Sequence, residues 1–382
     1  MNMHMPASLR QQGFSLIEVM VSTVVALFAT LAIVQSFAIS EGYRRTATSG
    51  GDASFGGAVG SYLIDHDLRV AGYGINSATY LGCAVNGTDQ QGARSIGPFT
   101  LAPVQINFGV DAQHPDSITV VASGTNMMPE PINLTVAMGS PTNDYTVTNA
   151  FGVNAGDVLL LAEAGKTCTL AQATNTPTSG TTNQNVIKHV SGTYTSGGTT
   201  STARYNPGGG LAPDLMGTTV ATNYSASAVV MDMGTTPIVN TYSIPAGTNT
   251  LTVDQWIGGQ LAQPIVSNVV QLKAFYGKST TSNGVVDSWW DTTQPVTSAD
   301  WANVLAIRMA LVARSAQPEK PDPTSGLCST TTTLPSVTWD DGQTTNLDVS
   351  VTATSASANW KCYRYKVFHM TSSLLNLIWT PS

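Results

Sequence analysis

Glu18 is the side chain of this sequence whose surroundings most demand a chemical partner. It is the only charged residue among the 26 from Phe14 to Ile39. An ionised carboxylate in hydrocarbon costs on the order of several kcal/mol, so it must be paired or become neutral. Gly13, a small residue of the kind found at cleavage sites, stands directly before this apolar run. An ordinary secretory signal has its cleavage site after the apolar run instead.

Residue types that serve in catalysis occur elsewhere without the spacing that catalysis needs. The sequence contains no GxSxG, HExxH, P-loop or Rossmann glycine pattern. His66 lies between Asp65 and Asp67, but adjacent residues of a helix point in different directions, which favours a solvated role for all three. We therefore predict no enzyme activity and no cofactor.

Two further groups of residues are weak candidates for ligand binding. Trp289 and Trp290 are adjacent and could form a platform for a carbohydrate or a partner, although packing in the core or at an interface is the favoured interpretation. Asp287 and Asp291 are the only carboxylates near the loop that follows Gly277, and hard cations require several. No metal site is predicted.

The composition is that of an exported, β-rich protein. Only 10% of the 382 residues are charged, whereas 42% are apolar, which is enough for a sizeable core. The net charge of −7 gives no overall electrostatic basis for binding nucleic acid, and no direct nucleic-acid partner is predicted.

The four cysteines have no CxxC spacing and no clustered histidines, which argues against zinc or a dithiol redox site. Their even number fits two disulfides in an oxidising compartment, and three connectivities are formally open. We favour Cys328 with Cys362 and Cys83 with Cys168, because each pair lies within one region of the chain.

The N-terminal run is long enough to cross a membrane. At about 1.5 Å per helical residue, it exceeds a hydrocarbon core of roughly 30 Å. The hydrophilic segment before it has one arginine, Arg10, and no acid, as expected on the cytoplasmic side.

The stretch GFSLIE, residues 13–18, resembles the type III signal of type IV pilins and pseudopilins. The resemblance implies that a prepilin peptidase cuts between Gly13 and Phe14 and methylates the new amine of Phe14. It also implies that Glu18 pairs with the Phe14 amine of a neighbouring subunit during assembly, although pairing within one helix remains open. The alternative is a plain anchor whose glutamate lies at the headgroup boundary.

Beyond the membrane segment, the helix is predicted to continue as an amphipathic helix. Phe55, Val59, Tyr62 and Leu63 have the spacing of one apolar helical face. The glycine pairs at 50–51 and 56–57 predict a break near 48–57, and the helix should end near 72–74.

From residue 100 the pattern becomes that of short strands separated by turns. Strands are predicted at 117–122, 145–148, 157–162, 226–231, 249–256, 264–277, 303–314 and 361–369. In the 303–314 strand, Leu305, Ile307 and Met309 should face one way and Arg308 the other. The polar tract at about 165–225 predicts long surface loops, with an exposed hairpin at 186–190.

Several tracts resemble PilW-type minor pilins. They are DLRVAGYG at 67–74, the YG that ends a strand at 276–277, DSW at 287–289, WANVLAIRMALVARS at 301–315, PEK at 318–320, YRYKVF at 363–368 and NLIW at 376–379. In the first tract, we favour an ordinary exposed structural role for Asp67 and Arg69 over a bridge to a partner subunit.

The resemblance implies a minor pilin that joins a priming complex and is incorporated at or near the pilus tip, supporting adhesion, twitching motility or DNA uptake. The implied partners are other minor pilins, the major pilin, the prepilin peptidase and the inner membrane. The implied location is the inner membrane, by a single pass with a periplasmic C-terminal domain, and the extracellular pilus. A J-like pseudopilin of a type II secretion system and a tip adhesin that binds through the 165–225 loops are the alternatives.

The predicted fold class is α+β, with a long N-terminal transmembrane pilin helix followed by a large antiparallel β-rich globular domain. The expected organisation is a leader peptide at 1–13, a hydrophobic assembly helix at 14–40 and its amphipathic continuation at 41–75. A β-rich region with Thr/Ser/Gly-rich loops follows at 76–260, and a C-terminal β region at 261–382.

Overall fold

A computed structural model describes residues 15–75, 77–92, 94–125, 130–207, 223–290, 293–322, 324–350 and 360–378. The chain divides into two compact units, one that ends at Gly51 and one that begins at Asp52. The predicted α+β class is confirmed, because a long helix precedes an array of largely antiparallel sheets.

Helix α1 runs without interruption from Leu16 to Val70. The predicted break near 48–57 is therefore wrong. Gly51 has open space around it, but Gly56, Gly57 and Gly60 face neighbouring strands so closely that there is little or no room for a side chain. These three glycines serve close packing, which offsets their cost of roughly 1 kcal/mol each in helix propensity.

The predicted apolar face of this helix is not the face that packs against the sheets. Phe55 and Tyr62 are 75% and 67% exposed. The buried face instead carries small residues in its first turns, such as Ala53, and then Ile64 and Leu68. Small residues allow the backbone to approach the sheets, and this approach leaves the larger aromatic side chains on the opposite face.

The chain then forms short strands, joined by turns and by 3-10 turns at Ala78–Tyr80 and Trp360–Cys362. The first strands are β1 (Ala84–Asp89), β2 (Arg94–Thr100), β3 (Val104–Asn107), β4 (Ser117–Ala122), β5 (Ile132–Asn133), β6 (Tyr145–Thr146), β7 (Val158–Ala162) and β8 (Cys168–Gln172). Next are β9 (Val186–Ile187), β10 (Thr193–Ser196), β11 (Thr199–Thr202), β12 (Val229–Asp232), β13 (Ile238–Ser243), β14 (Thr250–Gln255) and β15 (Gln260–Ser267). The last are β16 (Val269–Lys278), β17 (Ser288–Trp290), β18 (Val304–Arg314), β19 (Ser336–Thr338), β20 (Thr344–Asn346) and β21 (Tyr365–Ser373). Two short helices, α2 (Ser298–Ala302) and α3 (Leu375–Ile378), flank the final strands.

Three sheets make up most of the second unit. The six-stranded sheet has the order β2-β1-β8-β7-β12-β5, the five-stranded sheet β15-β14-β13-β4-β3, and the four-stranded sheet β17-β16-β18-β21. All pairings in these sheets are antiparallel except that of β1 with β8. Most of the predicted strands are confirmed within a few residues, and 117–122 coincides with β4.

The hydrophobic core is divided among the sheets. One cluster joins α1 to the five- and four-stranded sheets through residues such as Leu68, Ile118 and Met309. A second lies between the six- and five-stranded sheets, and a third covers the other face of the four-stranded sheet with Trp339. Strand β18 is consequently buried on both faces, which explains its nearly unbroken apolar run.

The polar tract at 165–225 is only partly made of surface loops. Its residues 168–172 form β8, a fully buried strand inside the six-stranded sheet. The hairpin expected at 186–190 is wrong, because β9 pairs with β6. The exposed hairpin lies later, where β10 pairs with β11.

Candidate functional site

The first turn of α1 holds Glu18, the acid singled out by the sequence. Gly13 and Phe14 lie outside the described residues. The backbone N–H of Ser15 donates to Glu18 Oε2 at 3.0 Å. A carboxylate that accepts from the residue before the helix satisfies one of the free N–H groups of a helix N-terminus, where the helix dipole also favours negative charge.

The surface around Glu18 is apolar and exposed. The large apolar side chains from Leu16 to Ile39 are all at least 49% exposed. By length and composition, Leu16–Arg44 could cross a membrane. The hydroxyls of Ser22, Thr23 and Thr30 donate to carbonyls three residues earlier, so these polar atoms are satisfied without water.

One face of this segment forms a shallow, almost wholly apolar groove beside Glu18. Its lining includes Val21, Val25 and the small residues Ser22, Ala26 and Ala29. Small residues on one face let a second helix approach closely. The groove therefore provides a surface for helix packing next to the carboxylate.

At the other end of α1, the carboxylate of Asp67 joins the helix to β13. Asp67 is buried, and its Oδ2 accepts hydrogen bonds from Tyr242 Oη and Asn240 Nδ2, both at 2.7 Å. Burial, followed by the nearby Asp67 charge, raises the pKa of the Tyr242 hydroxyl, so it remains a donor. The predicted exposed role of Asp67 is therefore wrong.

The residues beside Asp67 remain at the surface. Arg69 pairs with Asp65 at 2.7 Å, and both side chains are accessible to solvent. The His66 side chain is 62% exposed, as expected, but its Nδ1 lies 3.2 Å from Asp67 Oδ1. Adjacent helical side chains thus approach each other here, against the prediction from helix geometry.

A buried ion-pair cluster surrounds Asp89. Its carboxylate contacts Arg94 at 3.2 Å and Arg204 at 2.7 Å, and it also accepts from the backbone of the turn after β1. Burial raises the pKa of Asp89, but the hydrogen bonds from Arg204, Gly92 and Arg94 outweigh it and lower the pKa to about 2. The cluster therefore holds Arg204 and its neighbours in the chain against the turn between β1 and β2.

Arg308 is the buried charge of the four-stranded sheet. It points away from Ile307 and Met309, as predicted, but it is only 7% exposed. Its guanidinium lies 4.5 Å from the ring centroid of Trp289 and 4.8 Å from that of Trp339, and it pairs with Asp341 at 2.8 Å. Trp289 therefore packs on Arg308, while the Trp290 side chain lies outside the described part of the chain.

The structure contains the disulfides Cys83–Cys168 and Cys328–Cys362, which are the two pairs favoured from the sequence. The first ties the chain before β1 to the start of β8, its parallel neighbour. The second ties the loop after β18 to the turn before β21.

The described residues contain no group of three or more His, Cys, Asp or Glu arranged to hold a metal ion. Asp287, the only described carboxylate of the pair considered above, accepts hydrogen bonds from the backbone N–H and the hydroxyl of Thr280. These bonds lower the pKa of Asp287. Its carboxylate closes a loop in this structure.

Comparison with known protein families gives matches in two segments of the chain. Residues 8–34 match the family model of the prokaryotic N-terminal methylation motif, and residues 241–376 match that of the type IV pilus-assembly protein W, PilW. The two matches support a PilW-like type IV pilin. No curated protein and no solved structure matches it.

The PilW match runs from β13 into α3 and so contains the whole four-stranded sheet of this PilW-like pilin. The family is one of pilus-assembly proteins, and the N-terminal motif associates the chain with a membrane and with prepilin processing. Sequence reasoning missed the buried positions of Asp67 and Arg308. For Arg308 the available indication was a charge placed in an apolar run, whereas Asp67 lies among the polar residues Asp65, His66 and Arg69 and gave no such indication.

Proposed function

We propose that this PilW-like pilin is a minor pilin that takes part in priming and assembly of the type IV pilus. It is incorporated at or near the tip and there supports adhesion, twitching motility or DNA uptake. The observation that carries the proposal is Glu18, an acid in the first turn of a helix whose large apolar side chains from Leu16 to Ile39 are exposed. The matched methylation motif at 8–34 includes this residue.

Cleavage of the leader supplies the positive charge with which the Glu18 carboxylate can pair. In this proposal, prepilin peptidase cuts between Gly13 and Phe14 and methylates the new amine, which stays positively charged. Ser15, whose N–H already donates to Glu18, follows Phe14 directly in the sequence, and the new amine is four residues from Glu18 along the chain. Assembly replaces this local contact by the Phe14 amine of a neighbouring subunit, and the ion pair removes the cost of an isolated charge among apolar helices.

The same proposal gives the orientation of the chain in the inner membrane and its partners in assembly. Arg10 and the leader stay on the cytoplasmic side, and the unit that begins at Asp52 is periplasmic before assembly. The partners are other minor pilins, the major pilin, the prepilin peptidase and the inner membrane. The apolar groove beside Glu18 packs against neighbouring pilin helices once the subunit leaves the bilayer.

Co-purification of the full chain in detergent with each candidate minor pilin tests the priming role. We expect a stable complex with at least one other minor pilin. Failure to bind any of them, while mass spectrometry shows a processed Phe14 terminus, would contradict priming but leave the pilin assignment intact. An uncleaved terminus in cells with active prepilin peptidase would contradict the processing step itself.

A J-like pseudopilin of a type II secretion system is the alternative within the same assembly logic. Deletion of the gene separates the two, since the pilin proposal predicts loss of pili and unchanged protein secretion. A tip adhesin is the alternative from another class. Removing only the hairpin from β10 to β11, which leaves the buried strand β8 untouched, should not alter piliation; loss of attachment by piliated cells would favour adhesion.

A further inference from the structure

A polar cleft lies between the hairpin β10–β11, the β12–β13 connection and the turn after β14. Its volume is about 720 Å³, within the range of sites that bind small ligands. The pilus-assembly role described above does not use it.

The side chains of this cleft are rich in uncharged hydrogen-bonding groups. Its described lining carries six hydroxyls and four carboxamides, and the only charged residue among them is Arg204. Accessible ring surface comes from Tyr194, whereas Tyr205 is buried and its hydroxyl accepts from the Gly258 backbone. Hydroxyl, amide and aromatic groups together match the chemistry of a sugar, which has polar edges and apolar C–H faces.

The Arg204 guanidinium is already engaged in hydrogen bonds within the protein. Its Nε and Nη2 both donate to Asp89 at 2.7 Å, and its Nη1 donates to the carbonyl of Gly258 at 3.1 Å. All three guanidinium nitrogens thus donate within the protein, so Arg204 has few hydrogen bonds left to offer an anionic ligand. A neutral ligand is therefore favoured over a phosphate or a sialic acid.

Several polar groups of the cleft are available to a ligand. The side chains of Gln91, Gln255, Thr235 and Thr236 make no hydrogen bond within the part of the chain that the structure describes, and all four are exposed. By contrast, the buried carboxamide of Gln172 contacts the Tyr194 hydroxyl at 3.4 Å and so positions that ring from below. The cleft thus combines a positioned Tyr194 ring with exposed polar side chains at its rim.

We propose that this cleft binds a neutral glycan. The ring of Tyr194 stacks on the sugar, and the amides of Gln91 and Gln255 bond its hydroxyls. This site requires neither the PilW-like assembly role nor the processing of Phe14, so the two proposals succeed or fail separately.

The test uses the full chain in a sugar-free detergent such as LDAO, because maltoside headgroups would compete. The probes are chitohexaose, maltohexaose and lacto-N-tetraose, with 3′-sialyllactose as the charged comparison, followed by saturation-transfer NMR and calorimetry. We expect saturable binding of at least one neutral probe and weaker binding of sialyllactose. Tyr194→Ala should weaken binding by about threefold to tenfold.

Two further variants keep the test decisive if Tyr194→Ala disturbs the hairpin. Gln255→Glu changes an exposed side chain and adds a charge without removing a described contact, and it should also weaken binding. Tyr62→Ala is the matched control on the exposed face of α1 and should have no effect. The proposal is overturned if no neutral probe binds, if sialyllactose binds more tightly, or if both cleft variants bind as the parent does.

Discussion

Gly57 of α1 lies directly against the ring of Phe368 in β21. A Cβ atom placed on Gly57 would come within 2.1 Å of Phe368 Cε2, and within 2.8 Å of two more ring atoms. The helix therefore rests on the four-stranded sheet so closely that a Cβ atom at this position requires the Phe368 ring to shift. The glycines that weaken the helix in isolation fix its contact with the sheet.

Replacing Gly57 by alanine should lower the free energy of unfolding by about 1–3 kcal/mol, because overpacking outweighs the gain in helix propensity. Chemical denaturation in detergent measures this. The control is Gly51→Ala, where nothing lies within 4 Å and a gain of about 1 kcal/mol is expected. Combining Gly57→Ala with Phe368→Ala should recover part of the loss; a neutral Gly57→Ala would refute the close-contact account.

Features that depend on residues close together in the chain could be predicted from the sequence, whereas features that depend on distant contacts could not. The apolar N-terminal segment, the long helix and most strands follow from apolar run length and two-residue alternation, so they were predictable. The prepilin signal came from the resemblance of residues 13–18 to a known motif. The role of Gly57 was not, because a glycine pair has the same local effect whether it breaks a helix or faces a sheet about 300 residues later. The exposure of Phe55 and Tyr62, on the predicted apolar face, was not predictable for the same reason, since the close approach of the other face decides it.

The candidate site divides in the same way. Glu18 was found because its charge conflicts with its immediate neighbours. Asp67 was not, because its partners Asn240 and Tyr242 come from a distant strand. The polar cleft could not be predicted, since five separated segments form its walls.

Removing the carboxylate of Asp67 tests the attachment of α1 to β13. Asp67→Ala should reduce the free energy of unfolding by about 1–3 kcal/mol, since it leaves Tyr242 and Asn240 with donors that have lost their acceptor. Arg69→Ala is the control, because its exposed pair with Asp65 contributes at most about 1 kcal/mol. Equal effects of the two variants in thermal denaturation would contradict the anchoring role.

Ionisation of Asp232 should lower the free energy of unfolding as pH rises. Burial, and then the charge of Asp157, raises the pKa of Asp232 from 3.8 to about 6. Because the folded state binds this proton more tightly than the unfolded chain, its stabilisation is complete below pH 3.8 and is lost as pH rises through about 6. Between pH 4.5 and 7.5 the loss is about 2 kcal/mol.

Asp232→Asn should remove this component of the pH dependence. Denaturation of the parent and the variant over the same pH range measures it, with the difference between the two curves as the readout. Identical slopes would show that Asp232 is ionised alike in the folded and unfolded chains.

Asp89 has the opposite dependence. Its pKa is lowered to about 2, so its stabilisation is present above the unfolded value of 3.8 and is lost as pH falls through about 2. Asp89→Asn leaves Arg94 and Arg204 without their counterion and should cost about 3 kcal/mol at neutral pH. Arg364→Ala, which breaks an exposed pair with Glu319, is the comparison and should cost less than about 1 kcal/mol.

The fraction of Glu18→Ala protein recovered in sheared pili tests the central claim most directly. The parent chain and Glu41→Ala, which alters a surface-exposed acid of the same helix, serve as references at matched membrane levels. If Glu18 pairs with a neighbouring Phe14 amine, Glu18→Ala should remain in the membrane and fall at least tenfold in the pilus fraction, while Glu41→Ala enters normally. Glu18→Ala entering pili at the parent level would contradict the account.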